Sequence, residues 1–100
     1  MGAKVIVTSE AWRDLAEIID YIAKNNSAAA ERLSNRLLDT AQALQHAPFV
    51  GCRLKGFPGV RTTICGRYLV IYKVEREQNR LLILRFWHSA RDLKRLRLRL

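Results

Sequence analysis

The chain has 100 residues, 49% of them hydrophobic, and a formal net charge of +9. This length and composition predict a single globular domain over residues 1–100 and exclude an intrinsically disordered chain. No run of about 18 apolar residues occurs, and the first residues lack the apolar core of a secretory signal, so we expect neither a membrane span nor export.

The positive charge lies in the second half of the chain. Residues 1–50 hold five Lys or Arg and six Asp or Glu, whereas residues 51–100 hold thirteen and three. Such asymmetry indicates an anionic partner: nucleic acid, a membrane surface or an acidic protein. The alternative is a basic protein whose charge only maintains its solubility.

The two cysteines predict no chemistry of their own. Cys52 and Cys65 are too few for the disulfide framework of small secreted domains, and no CxxC spacing occurs. Because only His46 and His88 could act as further ligands, we expect no metal and no other cofactor. Both cysteines are expected to be plain thiols in a reducing cytoplasm.

The first half of the chain predicts a strand and two helices. Residues 3–8 are mostly β-branched and bounded by polar residues, which is typical of a short strand. Ser9 is the expected N-cap of a helix over about 10–24, where apolar residues recur at helical spacing. The polar face of this helix is expected to carry Arg13, Asp14, Glu17, Asp20 and Lys24. A polar Asn-Asn-Ser break leads into a second helix, 28–47, which Pro48 ends. The short break makes the two helices an antiparallel hairpin.

The second half predicts an antiparallel meander. It starts with a loop, residues 48–59, that contains three Gly and two Pro. Strands are expected over 60–65, 68–74 and 80–87. A tight reversal at Gly66-Arg67 joins the first two strands, and a polar turn joins the last two.

The end of the chain fits two conformations. Leu93, Leu96 and Leu100 lie at helical spacing, whereas Leu96, Leu98 and Leu100 alternate as in a strand. The order β-α-α-β-β-β predicts an α+β fold, in which the helical hairpin packs on a four-stranded, mostly antiparallel sheet. We expect the other face of this sheet to be at least partly free, concave and basic.

Three segments together resemble the RelE/ParE toxins of bacterial type II toxin–antitoxin systems. They are the helical pair AWRDLAEIIDYIAKNNSAAAERLSNRLLDTAQAL, the segment PGVRTTICGRYLVIYKV and the last strand with its exit, LLILRFWHSARDL. The resemblance covers about residues 4–94 in the family's order and spacing, and it is closer to ParE. It implies the RelE/ParE-like fold, a cognate antitoxin and one of two targets. RelE-type members are ribosome-dependent mRNA endonucleases, whereas ParE-type members inhibit DNA gyrase.

The residues of a RelE-type nuclease are matched poorly. RNA cleavage by 2′-OH attack needs a base, an acid for the leaving oxygen, and cations that stabilise the charge on phosphorus. The Arg that RelE-like members carry three residues before the turn glycine is Thr63 here, whereas Arg61 has the ParE-like position, five before Gly66. The tyrosine that follows the Arg-Asp pair in many nucleases falls near Lys94, and the loop 48–59 contains no carboxylate.

His88 is the strongest candidate for a catalytic role, because a histidine is a good acid or base near neutral pH. In a regular strand, however, His88 and Arg85 point to opposite faces and do not converge. The face of His88 would then hold Leu82, Leu84 and Phe86. The face of Arg85 would hold Leu81, Ile83 and Trp87. This pattern favours a structural His88, hydrogen-bonded at the edge of the sheet.

Other residues near these motifs also favour structural roles. Arg91 and Asp92 are expected to form a local ion pair, or Asp92 to cap the end of the chain. Trp87 is expected to pack in the core or at its rim, and Trp12 in the core or in an antitoxin groove. Two tyrosines are expected to pack on one strand face with their hydroxyls near its edge. They are Tyr68 and Tyr72.

The favoured hypothesis is a ParE-like toxin that binds DNA gyrase, arrests growth and is neutralised by an acidic, partly disordered antitoxin. No membrane partner is expected. One alternative is a RelE-like ribosome-dependent mRNA endonuclease, and another is a degenerate member without toxicity. The residues that would carry RNA cleavage are His88, Arg85, Arg91 and Arg61.

Two binding surfaces follow from this hypothesis. The residues expected to bind the target or another anion are Arg53, Lys55, Arg61, Arg67, Lys94, Arg95, Arg97 and Arg99. The antitoxin is expected to lie in a groove beside the helices and to cover the basic face of the sheet. The residues expected to bind it are Trp12, Ile19, Leu33, Leu37, Arg61 and Arg67.

Overall fold

The computed structural model describes residues 3–99 as two helices packed on a mostly antiparallel sheet. Its elements are β1 (Lys4–Val7), α1 (Ser9–Ala23), α2 (Ser27–Ala43), β2 (Cys52–Arg53), β3 (Val60–Cys65), β4 (Tyr68–Glu75), β5 (Arg80–His88) and a 3₁₀ turn (Leu93–Arg95). The predicted α+β fold and its helical hairpin are confirmed. The sheet has five strands rather than the predicted four.

The additional strand is β2, which lies inside the predicted loop. The strands are ordered β1-β5-β4-β3-β2, with β1 parallel to β5 and every other neighbouring pair antiparallel. In β2, Cys52 pairs with Thr62 and Arg53 with Arg61. Two residues are too few for an alternating pattern, so the sequence offers no signal for this strand.

Helix α1 begins with a different cap from the one predicted. Thr8, and not Ser9, is the N-cap, since its hydroxyl oxygen accepts a hydrogen bond from the Ala11 amide at 3.3 Å. The same hydroxyl donates to the Ile83 carbonyl at 2.8 Å. Thr8 therefore attaches the first turn of α1 to β5, whereas Ser9 is exposed.

Helix α2 begins as predicted and ends earlier. The Asn26 side chain caps it by accepting from the Ala29 amide at 3.0 Å. The helix ends at Ala43, because the chain from Leu44 to Ala47 tightens into hydrogen bonds between residues three apart. Within residues 3–99, neither helix is long and apolar enough to cross a membrane.

Both faces of the sheet are covered. The helix-side core is built around five buried side chains, Leu15, Leu37, Tyr72, Ile83 and Phe86. The tail-side core consists of Val60, Ile71, Leu84, Trp87 and Leu96, with Leu54, Phe57 and Leu98 packed against it. The expectation of a free second face is thus wrong for its central part, because residues 93–99, here called the tail, and the loop before β3 cover it.

The tail forms neither the helix nor the strand that its sequence allows. Leu93–Arg95 forms one 3₁₀ turn, and Leu96 to Arg99 follow without regular secondary structure or strand pairing. Asp92 caps this turn by accepting from the Lys94 amide at 2.9 Å. Among residues 3–99, Asp92 makes no ion pair with Arg91, so the cap is the alternative that the structure contains. Leu100 lies outside the described residues.

Candidate functional site

A β-bulge re-aims the end of β5. Tyr72 pairs with Ile83 and Ile71 pairs with Arg85, so Leu84 is an extra residue in β5. The bulge reverses the alternation, and the predicted grouping of side chains by face is therefore wrong on its N-terminal side. Leu81 and Ile83 share the helix side with Phe86 and His88. Leu82 and Leu84 share the tail side with Arg85 and Trp87.

Arg85 and Asp14 form a largely buried ion pair between β5 and α1. Arg85 Nε lies 2.6 Å from Asp14 Oδ2, and Arg85 Nη2 lies 2.9 Å from Asp14 Oδ1. The hydrogen bond to Asp14 raises the pKa of Arg85 above its usual value. The third nitrogen, Nη1, donates to the carbonyl of Arg97 in the tail at 3.0 Å. Each of the three guanidinium nitrogens of Arg85 therefore donates to a protein acceptor.

His88 lies on the helix side, at the mouth of a small cavity. Its ring meets the Tyr68 ring edge-on, with the centroids 5.1 Å apart. His88 Nδ1 accepts from the Ala90 amide at 3.0 Å, so the neutral ring carries its proton on Nε2. The cavity, of about 190 Å³, is lined by Glu17 and Tyr21 of α1, by Tyr68 and His88 of the sheet, and by Arg91 after β5, among others. His88 is thus hydrogen-bonded, and the structural role favoured for it stays a prediction.

Arg61 lies far from His88. It pairs with Tyr72, whereas His88 pairs with Tyr68, four residues away along β4. Four residues of a strand span about 13 Å. Arg61 Nη1 donates to the carbonyl of Gly51 at 2.8 Å. Arg61 thus binds the loop before β3 to the sheet.

The remaining candidate for catalysis, Arg91, is exposed, and its side chain stacks on Trp87. Its guanidinium lies 3.9 Å from the centre of the Trp87 ring, and its carbonyl accepts from Trp87 Nε1 at 3.4 Å. Trp87 is only 1% exposed and is a core residue, as predicted. His88 and Arg91 line the same cavity, but Arg61 is held by Gly51 and Arg85 by Asp14, so the four residues proposed for RNA cleavage do not all surround one point.

Tyr72 holds the loop before β3 in place. Its hydroxyl oxygen accepts from the buried Gly51 amide at 2.9 Å. A Cβ atom at position 51 would lie 2.5 Å from that hydroxyl oxygen and 2.6 Å from the Thr62 carbonyl oxygen, so only glycine fits. Burial raises the pKa of Tyr72 and, in the same way, that of Tyr68.

Seven of the eight residues predicted to bind a target are exposed, and the eighth, Arg61, is half-buried. Tail residues Lys94, Arg95, Arg97 and Arg99 are exposed, and so are the loop residues Arg53 and Lys55 and the turn residue Arg67. Leu96 lies among the four basic residues of the tail and is only 2% exposed, because it packs on the tail-side core. The basic side chains of the tail therefore point outward. Their one ion pair among residues 3–99 joins Arg99 to Glu10 at 3.5 Å and is largely exposed, so it is weak.

The residues predicted to bind an antitoxin differ in accessibility. Trp12 is 49% exposed, and Ile19 and Leu33 are half-buried against the helix-side core. Leu37 is 0% exposed. A partner bound to this form of the protein cannot contact Leu37, which we therefore remove from the predicted surface.

Asp14 is the important residue that sequence reasoning assigned to the wrong place. The pattern placed it on the polar face of α1, yet it is 7% exposed and lies beside Ala11 and Leu15 in the buried stripe. A carboxylate three residues after a buried alanine is the signal that could have revealed it. Its partner Arg85 is 71 positions away, and no local pattern connects them.

Comparison with known proteins identifies one family. The family model of the ParE toxin of the type II toxin–antitoxin system, parDE, matches residues 5–93. The chromosomal ParDE toxin–antitoxin system from P. aeruginosa superposes with a TM-score of 0.74 at 23% identity, over 86% of this chain and 95% of that chain. The toxin–antitoxin complex RelBE2 from Mycobacterium tuberculosis superposes with a TM-score of 0.71 at 24% identity, over 88% and 99%. No curated protein matches the sequence.

The two superpositions define the class of protein by its fold, which is that of the RelE/ParE toxins. Within this class, the chain belongs to the ParE toxin family of type II toxin–antitoxin systems, because the family model covers most of its length. The predicted family is confirmed. A fold shared at such low identity does not distinguish one target from another.

Proposed function

We propose that this toxin arrests growth by binding DNA gyrase in the cytoplasm and blocking its supercoiling cycle, and that a cognate antitoxin neutralises it. On this proposal the toxin acts through recognition and contributes no bond-breaking chemistry. Its formal charge of +9 favours encounter with an anionic surface on gyrase or on the DNA that gyrase holds.

One observation carries the proposal: the four groups that RNA cleavage would need do not all converge, because Arg61 and Arg85 are bound to other protein groups, whereas only His88 and Arg91 line one cavity. Arg85 is held by Asp14, and Arg61 by the carbonyl of Gly51. Cations that stabilise a transition state must converge on one phosphate. Cations that recognise an anionic target need only be exposed, and the tail residues meet that condition.

The antitoxin partner is part of the same proposal. Trp12 on α1 is an accessible aromatic side chain beside the half-buried Ile19, which suits an amphipathic partner helix. Arg67, exposed at the tip of the β3–β4 turn, suits the acidic residues of that partner. We expect the charge reversal Arg67→Glu to weaken the complex in a calorimetric titration. Unchanged affinity would exclude this placement of the antitoxin.

Two assays on one purified sample test the target. The toxin is added to gyrase with relaxed plasmid and ATP, and in parallel to translating ribosomes. We expect supercoiling to stop while mRNA stays intact, and added antitoxin to restore supercoiling. Cleaved mRNA with normal supercoiling would overturn the proposal and favour the RelE-like alternative, with His88 as the first residue to replace.

A further inference from the structure

We infer that Arg85 is a positioning residue: it fixes the tail over the sheet by joining Asp14 of α1 to the backbone of Arg97. In doing so it sets the direction of the basic side chains that the tail carries. The step from a fixed tail to target binding rests on the proposed function. The fixing of the tail itself can be measured on the toxin alone.

The arrangement begins where β1 ends. β1 pairs with β5 only as far as Ile83, so the following part of β5 has an open edge that faces α1. Asp14 Oδ2 accepts from the Phe86 amide at 3.1 Å at this edge. The carboxylate thus takes the place of the missing strand, which accounts for an acidic residue on the buried face of α1.

The bulge at Leu84 then places Arg85 on the tail side of the sheet. From there its guanidinium turns over the open edge, binds both oxygens of Asp14 and still presents Nη1 to the tail. The Arg85 and Asp14 side chains are 18% and 9% exposed, so solvent screens this pair little. A planar guanidinium with five donors can make all three bonds at once, whereas a lysine cannot.

The tail acceptor of the Arg85 bond lies between two leucines that pack on the sheet. The carbonyl of Arg97 is flanked by Leu96 and Leu98, both of which pack on the tail-side core. Within residues 3–99, no backbone hydrogen bond joins residues 96–99 to the sheet, so the bond from Arg85 is their polar attachment to β5. It holds the leucines inward, and the alternation then directs Arg97 and Arg99 outward.

Replacement of Arg85 by lysine tests the inference, because lysine keeps the charge opposite Asp14 and loses the bond to the tail. Amide hydrogen exchange in Arg85→Lys should be about tenfold faster in the tail, with the helices unchanged. The matched control is Arg80→Lys, which alters the Arg80–Glu75 pair at the other end of β5. It should leave exchange in the tail as in the wild type.

The functional measurements separate positioning from stability. With Arg85→Lys, about tenfold more toxin should be needed to inhibit supercoiling, while antitoxin affinity should equal that of Arg80→Lys. Unchanged exchange in the tail would overturn the inference. Faster exchange with unchanged inhibition would overturn its functional half. A wild-type toxin that does not inhibit gyrase would refute the proposed function and leave the exchange result valid.

A second measurement avoids the risk that the variant does not fold. Three hydrogen bonds should hinder rotation of the wild-type Arg85 guanidinium, so its terminal N–H groups should give separate signals in nitrogen-15 spectra. The exposed guanidinium of Arg95 serves as the internal comparison. A freely rotating Arg85 would show that the tail is not held as we infer.

Discussion

At the scale of single residues, the fold depends on a few polar side chains that replace backbone partners. Tyr72 is the clearest case, since its buried hydroxyl accepts from the amide of Gly51 in the loop. The phenol is fully buried on a central strand, and it connects that strand to the loop that contains β2. Removing one oxygen atom would leave a buried amide without an acceptor.

We therefore expect Tyr72→Phe to lower the free energy of unfolding by about 1–3 kcal/mol. The control is Tyr21→Phe, which removes a hydroxyl from a side chain that is 74% exposed. The free energy of unfolding of Tyr21→Phe should lie within about 0.5 kcal/mol of the wild-type value. Urea denaturation of the three proteins measures both values. Equal losses at the two positions would show that the bond to Gly51 contributes nothing.

The same phenol makes stability depend on alkaline pH. Burial raises the pKa of Tyr72 above its usual value of 10.0, so the native state keeps this proton at a pH where the unfolded chain has lost it. The contribution of the protonated Tyr72 hydroxyl to the free energy of unfolding is complete below about pH 10. It is lost as the pH rises towards the pKa of Tyr72 in the native state. Wild-type stability should thus fall more steeply than that of Tyr72→Phe between about pH 9 and pH 11. Parallel curves from urea denaturation would contradict this assignment.

At the scale of elements, the junction of β1, α1 and β5 organises the molecule. Thr8 follows β1, caps α1 and binds the Ile83 carbonyl, and six residues later Asp14 closes the open edge of β5. The sequence alone favoured Ser9 as the cap, because its hydroxyl is as good an acceptor and it stands directly before the apolar pattern. The choice of Thr8 depends on the position of β5, which no local pattern records.

Replacing the two candidate caps in turn tests this junction. Thr8→Ala should cost about 1–2 kcal/mol of unfolding free energy, because it removes the cap and one bond to β5. Ser9→Ala is the matched control and should change stability by less than about 0.5 kcal/mol, since its side chain is exposed. Thermal denaturation of both variants gives the comparison. A larger loss of unfolding free energy in Ser9→Ala than in Thr8→Ala would show that Ser9 is the N-cap.

The limits of prediction are also clearest at the element scale. The helices and the meander have strong periodicity and turn signals, and Gly66 has the positive φ of 60° that its tight turn requires. The bulge at Leu84 has no such signal, because an extra leucine in an apolar strand looks like any other. Since the bulge decides which face each side chain occupies, the grouping around His88 could not be predicted.

At the scale of the whole molecule, the tail combines buried leucines with exposed basic side chains. The leucines of the tail complete the second core, and the basic residues beside them remain exposed. Sequence periodicity predicted the alternation but not what it would cover, because the covering contacts join Leu96 to Ile71 and Val60, which are distant in the chain. The result is a segment that packs through its leucines and leaves its cations exposed.

The central claim is that this toxin acts through the charge of its tail and not through His88. The most direct test titrates gyrase supercoiling with a tail variant, Lys94→Gln/Arg95→Gln/Arg99→Gln, beside His88→Ala. We predict that the tail variant needs at least about tenfold more toxin, or about 1.4 kcal/mol in affinity, whereas His88→Ala stays near the wild type. Full inhibition by the tail variant, with inhibition lost in His88→Ala, would contradict the account.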